Sequence, residues 1–381
     1  MIVTRLVRFE KIRPGPWVPR LAAVLASMSL LATVVVTPLG ALPHRDDQLS
    51  SASLFGVGVA RCTFVDRSRA ALNYSTTPYR VIPGGRRLVT DIRYPTQLLP
   101  GGPAETNGAP PTPRAGGYPM VVFAHGYDVT PETYAPLMDA WVRRGYVVVA
   151  PFFPDENATE VAAQRGVNTE DDLANEPGDL AFVTRSVLAS SADESTNCHI
   201  VSGLVDPSEI ALAGHSDGAQ AVGMLAYDHG NDPQGDNFAT LRTGVDYRAV
   251  MVLSGSEDTS QSYADEASRP DLLVVQSLAD QCNPMRFGVQ IYDGVHQTNK
   301  WFLELQTAHH LPPFDGVDAA AFDVVVATTD RFLQLSLQGD TTAPALSVVG
   351  NERPSIARMF VGAPGPTMAN VKPVTELCGP N

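Results

Sequence analysis

Ala213-Gly214-His215-Ser216-Asp217-Gly218-Ala219 closes a short apolar run, Glu209 to Ala213, and opens a helical pattern that extends from Asp217 to His229. A G-x-S-x-G motif carries meaning in this context, where a strand turns sharply into a helix. The serine must then adopt a strained backbone. Only minimal residues two positions before and after it let strand and helix approach each other. The turn lifts the Ser216 hydroxyl to the helix N-terminus, where the helix dipole and the amide of Asp217 can stabilise a developing oxyanion. The stretch therefore predicts both a βα unit and a nucleophile.

A serine hydroxyl needs a base to take its proton, and the base needs a carboxylate to orient it. Both follow along the chain. Asp280 lies just beyond the apolar run Leu272 to Gln276, at the C-terminal end of a predicted strand, where open α/β sheets place their sites. Glu257 and Asp258 are its rivals for the acid. Beyond Leu303-Glu304-Leu305 come His309 and His310, which cannot both face the serine. The offset from the strand end selects His310 as base and leaves His309 a loop role. His125, His215, His44, His199, His229 and His296 are read as structural. The second oxyanion donor is sought after the first buried parallel strand, in Phe123-Ala124-His125-Gly126-Tyr127-Asp128. There Gly126 permits the turn, the Tyr127 amide is the donor, and the Tyr127 ring is placed to line an acyl pocket.

Metal chemistry finds little footing. No H-x-x-x-H pair or clustered His/Asp set occurs, and no two of the four cysteines share a C-x-x-C spacing. The acidic loop Asn231 to Asp236 lacks calcium-loop spacing and reads as a solvated turn. No cofactor and no metal are expected.

Outward from the serine, strands and helices alternate. Gly56 to Phe64 and Arg87 to Tyr94 read as opening strands, and Met120 to Ala124, Tyr146 to Ala150, Ala249 to Leu253, Leu272 to Gln276 and Lys300 to Leu305 as later ones. Helices are predicted from Thr130-Pro131, over Asp179 to Ser190, over Pro284 to Tyr292 and over Phe322 to Leu337, and Gly230 is read as the left-handed stop after the serine's helix. Apolar strands covered on both faces mean an α/β fold with a mainly parallel central sheet flanked by helices. Only Glu257 to Asp271 separates two core strands where lids are commonly inserted, so no large lid is expected.

The 381-residue chain is expected to divide into an N-terminal segment, 1–52, a catalytic domain, 53–340, and a Pro-rich extension, 341–381. Five of its 27 basic residues precede residue 40, and no charge lies between Arg20 and His44. That is the layout of an export signal, and the same uncharged stretch is long enough for a retained anchor. A secreted protein is the preferred reading, with a membrane-anchored, extracytoplasmic one as the alternative. From residue 40 onward, 22 basic residues face 40 acidic ones. Such a surface repels nucleic acid, so no nucleic-acid partner is expected, and membrane contact only through the possible anchor. Cys62, Cys198, Cys282 and Cys378 permit two disulfides in three pairings.

From about Arg61 to Leu337 the chain resembles the α/β-hydrolase superfamily. Within it, it is similar to bacterial secreted esterases grouped with cutinase-like, platelet-activating-factor acetylhydrolase-like and dienelactone-hydrolase-like enzymes. The likeness lies in Asp66-Arg67-Ser68-Arg69, Arg93-Tyr94-Pro95, His125-Gly126-Tyr127, the Gly214 to Gly218 turn, Asp280 with Pro284, and Leu303-Glu304-Leu305 leading to His310. It implies carboxylic ester hydrolysis through an acyl-serine, with Ser216 as nucleophile, His310 as base, Asp280 as acid and the Tyr127 and Asp217 amides as oxyanion hole. The substrate expected is a small-molecule or surface-presented ester. Polyester-degrading relatives have Met where Asp217 stands and a Trp segment where Leu253-Ser254-Gly255-Ser256 stands, which counts against that specialisation. A cutinase-like polyester hydrolase, or an acyltransferase on the same triad, is the alternative; a non-catalytic binding protein is the remaining one.

Overall fold

Seven consecutive buried residues, Tyr118–Ala124, mark the strand on which the core is built. Alternate side chains point to opposite faces, so Met120, Val122 and Ala124 join one apolar layer while Val121 and Phe123 join another. A strand buried on both faces belongs at the centre of a sheet with helices above and below.

The computed structural model describes residues 54–367, except 75, 77–78, 165–168, 194–197, 257–269 and 297–298. The expected export segment, the Glu257 and Asp258 alternatives and the inter-strand segment read as too short for a lid lie outside the described residues. In chain order the strands are β1 (Gly56–Asp66), β2 (Ala71–Asn73), β3 (Arg80–Ile82), β4 (Arg86–Thr96), β5 (Thr106–Asn107), β6 (Tyr118–Ala124), β7 (Val147–Pro151), β8 (Val205–His215), β9 (Tyr247–Leu253), β10 (Asp271–Ser277), β11 (Lys300–Leu305) and β12 (Ala357–Val361). Ten form one sheet in the order β12-β11-β10-β9-β8-β6-β7-β4-β1-β5, and β2 and β3 make a separate hairpin. From β7 to β11 every neighbouring pair is parallel; β4 and β1 on one side and β12 on the other are antiparallel. This is the α/β-hydrolase arrangement, mainly parallel at its centre.

Helices Glu176–Ala192, Asp217–Tyr227 and Met285–Gly294 cover one face, and Ala135–Val142 and Ala319–Gln338 the other. Local differences from the sequence expectations have local causes. The segment after Thr130 begins as a 3-10 turn, Pro131–Tyr134, before the α-helix starts at Ala135. The helix after the serine stops at Tyr227. Gly230 is not its left-handed stop, because the Asp228 carboxylate accepts from the amides of His229 (2.6 Å) and Gly230 (2.9 Å) and turns the chain there. Asp232, expected in a solvated turn, is buried and faces Arg69 Nε at 3.5 Å. Part of the Pro-rich C-terminal segment adds strand β12 to the sheet edge.

Cys62 on β1 and Cys198 form a disulfide that closes 136 residues and ties the antiparallel end of the sheet to the start of the 3-10 turn His199–Val201. This settles one pairing that spacing left open. Cys282 is disulfide-bonded as well.

Candidate active site

The C-terminal ends of β6, β8, β10 and β11 bring the candidate residues to one edge of the sheet. Ser216 follows β8 at φ 56°, ψ −122° and caps the helix Asp217–Tyr227. That backbone conformation is strained for a non-glycine residue. The flanking glycines make it possible: a Cβ on Gly214 would sit 2.1 Å from the Gly218 carbonyl oxygen, and one on Gly218 2.4 Å from that of Ala124. The Ser216 amide donates to the Leu253 carbonyl at 3.0 Å, which pins the turn to β9.

Asp280, in the loop after β10, is buried, and each carboxylate oxygen has two donors. Oδ1 accepts from the amides of Cys282 and Asn283, both at 2.9 Å. Oδ2 accepts from Gln276 Nε2 at 3.2 Å and from His310 Nδ1 at 2.9 Å. With Nδ1 donating to the carboxylate, the lone pair of His310 is on Nε2, the tautomer a general base needs. His309 is exposed, and it is His310 that meets Asp280. Asn283 Nδ2 in turn lies 3.3 Å from Ser216 Oγ, so serine, aspartate and histidine belong to one hydrogen-bonded network.

The loop after β6 closes over the serine. A Cβ on Gly126 would lie 2.9 Å from Ser216 Cβ, so glycine is required there for close approach. The left-handed residue in this loop is Asp128, at φ 56°. Tyr127 follows Gly126 and is half-buried, with its hydroxyl oxygen accepting from Thr169 Oγ1 at 3.3 Å.

His125 and His215, read from the sequence as structural, hold these loops together. His125 Nδ1 donates to the Gly126 carbonyl (2.8 Å) and its Nε2 accepts from the Phe153 amide (3.1 Å). His215 Nε2 donates to the His310 carbonyl (3.1 Å), which leaves Nδ1 to accept from the Tyr134 hydroxyl (2.8 Å). The Gly126 amide donates to that same hydroxyl at 3.3 Å. One relay thus joins the loops of Gly126, Ser216 and His310. Burial pushes His125 down to about 4 and holds His215 well below the usual imidazole range, so both stay neutral.

Behind the site, Glu156 and Glu176 are fully buried with their carboxyl groups within hydrogen-bond reach of each other. No other hydrogen-bond partner reaches them among the described residues. Burial first, then the charges of Asp217 and Asp172, pushes both well above the ordinary carboxylate range. The pair therefore holds protons at neutral pH that the unfolded chain has released. Asp155, raised to about 7 by burial and Asp172, acts in the same direction.

The pH dependence of stability follows. Above about pH 4.5 the unfolded carboxyls lose protons that the folded ones keep, so stability falls as pH rises by about 1.4 kcal/mol per unit for each such proton. Below 6.5 unfolded imidazoles gain protons that His125 and His215 do not, so stability falls as pH drops. Thermal melts from pH 4 to 9 should peak between the two limits, and Glu156→Gln with Glu176→Gln should flatten the alkaline side. A melting temperature still rising above pH 8 contradicts this assignment.

Ligand atoms of Asp280, Cys282 and His310 lie within 4.8 Å of one another. Cys282 is in a disulfide and has no thiolate to offer, while Asp280 and His310 already satisfy each other, so this donor set does not suit a metal. A cleft of about 580 Å³ includes Arg67, Arg87, Phe152, Asp155 and Glu160 in its lining, but none of Ser216, Asp280 and His310.

Sequence reasoning missed Gln276, Asn283, Tyr134 and the Glu156–Glu176 pair. None belongs to a motif, and only the position of Asn283, three residues after Asp280, hinted at a role.

The chlorophyllase family matches residues 107–255, which include the Gly126 loop and the serine turn and stop before Asp280. No curated protein matches the chain significantly. A ferulic acid esterase from Streptomyces cinnamoneus shares 18% identity, with a TM-score of 0.55 over 78% of this chain and 95% of its own. The sheet order and the likeness to the ferulic acid esterase give the chain an α/β-hydrolase fold, and the chlorophyllase match covers the part of it that carries the strained serine turn.

Proposed function

We propose that the protein is a serine carboxylic-ester hydrolase acting through an acyl-enzyme. The observation that carries this reading is the strained Ser216 at a helix N-terminus, joined through Asn283 and Asp280 to a histidine in the base tautomer. His310 Nε2 takes the Ser216 proton as Oγ adds to the ester carbon. The carbonyl oxygen gains charge against the amides of Tyr127 and Asp217, and the alcohol leaves with the proton from His310. Water then repeats the sequence on the acyl-serine and releases the acid. No step calls for a cofactor.

The substrate proposed is an uncharged ester, small or presented on a surface, because a strongly acidic chain disfavours anionic polymers. An extracellular setting is part of the proposal. The Cys62–Cys198 disulfide fits an oxidising compartment, and the basic-then-apolar N-terminal sequence fits export. Among the described residues no helix is long and apolar enough to cross a membrane.

A fluorophosphonate adduct, mapped by peptide mass spectrometry on the purified protein, tests the nucleophile. Labelling on Ser216 with parallel loss of p-nitrophenyl butyrate hydrolysis is expected. Complete inactivation with the adduct on another residue would sink the assignment.

A further inference from the structure

Asn283 stands where the loop after β10 meets the serine turn. Its Nδ2 lies 2.8 Å from the Ser254 carbonyl oxygen and 3.3 Å from Ser216 Oγ. A carbonyl can only accept, so the Ser254 contact decides which end of the amide faces the site and leaves the second N–H for the hydroxyl. Ser254 is itself strained, at φ 46°, and its amide donates to the Val275 carbonyl at 2.8 Å. Two non-glycine residues with left-handed backbones therefore converge on one side-chain nitrogen. The main chain of Asn283 is equally fixed: its N–H donates to Asp280 Oδ1 (2.9 Å) and its carbonyl accepts from Gln276 Nε2 (2.6 Å). With the side chain buried, the donor is held in place before any substrate arrives.

We infer that Asn283 is a further catalytic residue, whose amide N–H stabilises Ser216 Oγ while that oxygen carries charge. The inference rests on the acyl-serine reading above. In acylation, an Oγ lone pair forms the bond to the ester carbon as the hydroxyl proton moves to His310. In deacylation, water adds to the acyl carbon and gives a proton to His310. The C–Oγ bond then breaks, its electron pair goes to Oγ, and His310 returns the proton there. In both steps Oγ holds partial negative charge that neither the hydroxyl nor the ester carries. A hydrogen bond that is long at rest and tightens onto that charge lowers the barrier rather than only the ground state. This donor serves Oγ, whereas the amides of Tyr127 and Asp217 serve the carbonyl oxygen.

Asn283→Leu in the full chain tests it, read by the rate of Ser216 labelling with a fluorophosphonate and by steady-state hydrolysis of p-nitrophenyl butyrate. Labelling reports attack by Oγ alone. Both the labelling rate and kcat should fall about 10- to 100-fold, with KM within twofold and the shape of the pH–rate profile unchanged. A folded variant with wild-type rates overturns the inference. So does a loss accompanied by a displaced pH profile, because the effect would then run through the Asp280–His310 pair. Should Asn283→Leu not fold, Asn283→Asp keeps the shape and the main-chain bonds while replacing the donor by an acceptor. It should lose at least as much, and wild-type turnover by it overturns the inference too. Full turnover by Ser216→Ala, in contrast, removes the acyl-serine reading itself, whatever residue 283 does.

Discussion

Ser216→Ala should lower ester turnover by roughly 10⁴- to 10⁶-fold, the range seen when a triad nucleophile is removed. Its melting temperature should stay within a few degrees of wild type. The methyl group fits the same turn, whose amide bond to Leu253 and flanking glycines do not involve the hydroxyl. Asp280→Asn should cost about 10³- to 10⁴-fold. Its amide can no longer accept from all four donors now around the carboxylate, and a nitrogen turned toward His310 imposes the wrong tautomer. Exposed His309, replaced by alanine, should remain near wild type. Steady-state kinetics on p-nitrophenyl butyrate compare all three, and more than 1% residual turnover by Ser216→Ala excludes the serine mechanism.

The largest effect on stability is expected from Arg86→Leu. Arg86 is fully buried on β4. Its Nη1 and Nη2 donate to Asp172 at 2.9 and 2.7 Å, and its Nε donates to Asp179 at 2.7 Å. Arg69 also reaches Asp179, at 2.7 Å, and the Tyr74 hydroxyl donates to Asp172 at 2.8 Å. Removing Arg86 leaves Asp172 without a cation and adds a cavity, so a loss of about 3–5 kcal/mol is expected. At about 2–4 °C per kcal/mol this lowers the melting temperature by roughly 10 °C. Arg353→Ala breaks a half-exposed 3.4 Å pair with Asp323 and should change stability by less than about 1 kcal/mol. Equal melting temperatures for the two variants would contradict this reading of the buried network.

Much of the architecture was legible in the chain because its causes are local. Five-residue apolar runs, a turn that tolerates only glycine at two positions and the offsets of Asp280 and His310 from strand ends all depend on neighbours in sequence. Where the reading failed at element ends, a nearby side chain had intervened, as Asp228 did before Gly230. Position 126 shows a subtler limit. Its glycine was expected to permit a turn, but the residue that constrains it, Ser216, lies 90 positions away.

By itself the sequence determined the order of the central strands and of the main helices, the serine turn, and that Asp280 and His310 each follow one of those strands. Only the tertiary structure decided that Cys62 pairs with Cys198, that the C-terminal segment supplies β12, that Glu156 and Glu176 are buried against each other and that Asn283 reaches the serine. The physical reason is the range of the forces involved. Periodicity and backbone sterics act over a few residues, whereas desolvation and hydrogen bonding select partners by distance in space, and no local pattern records which distant residue folding brings within 3 Å.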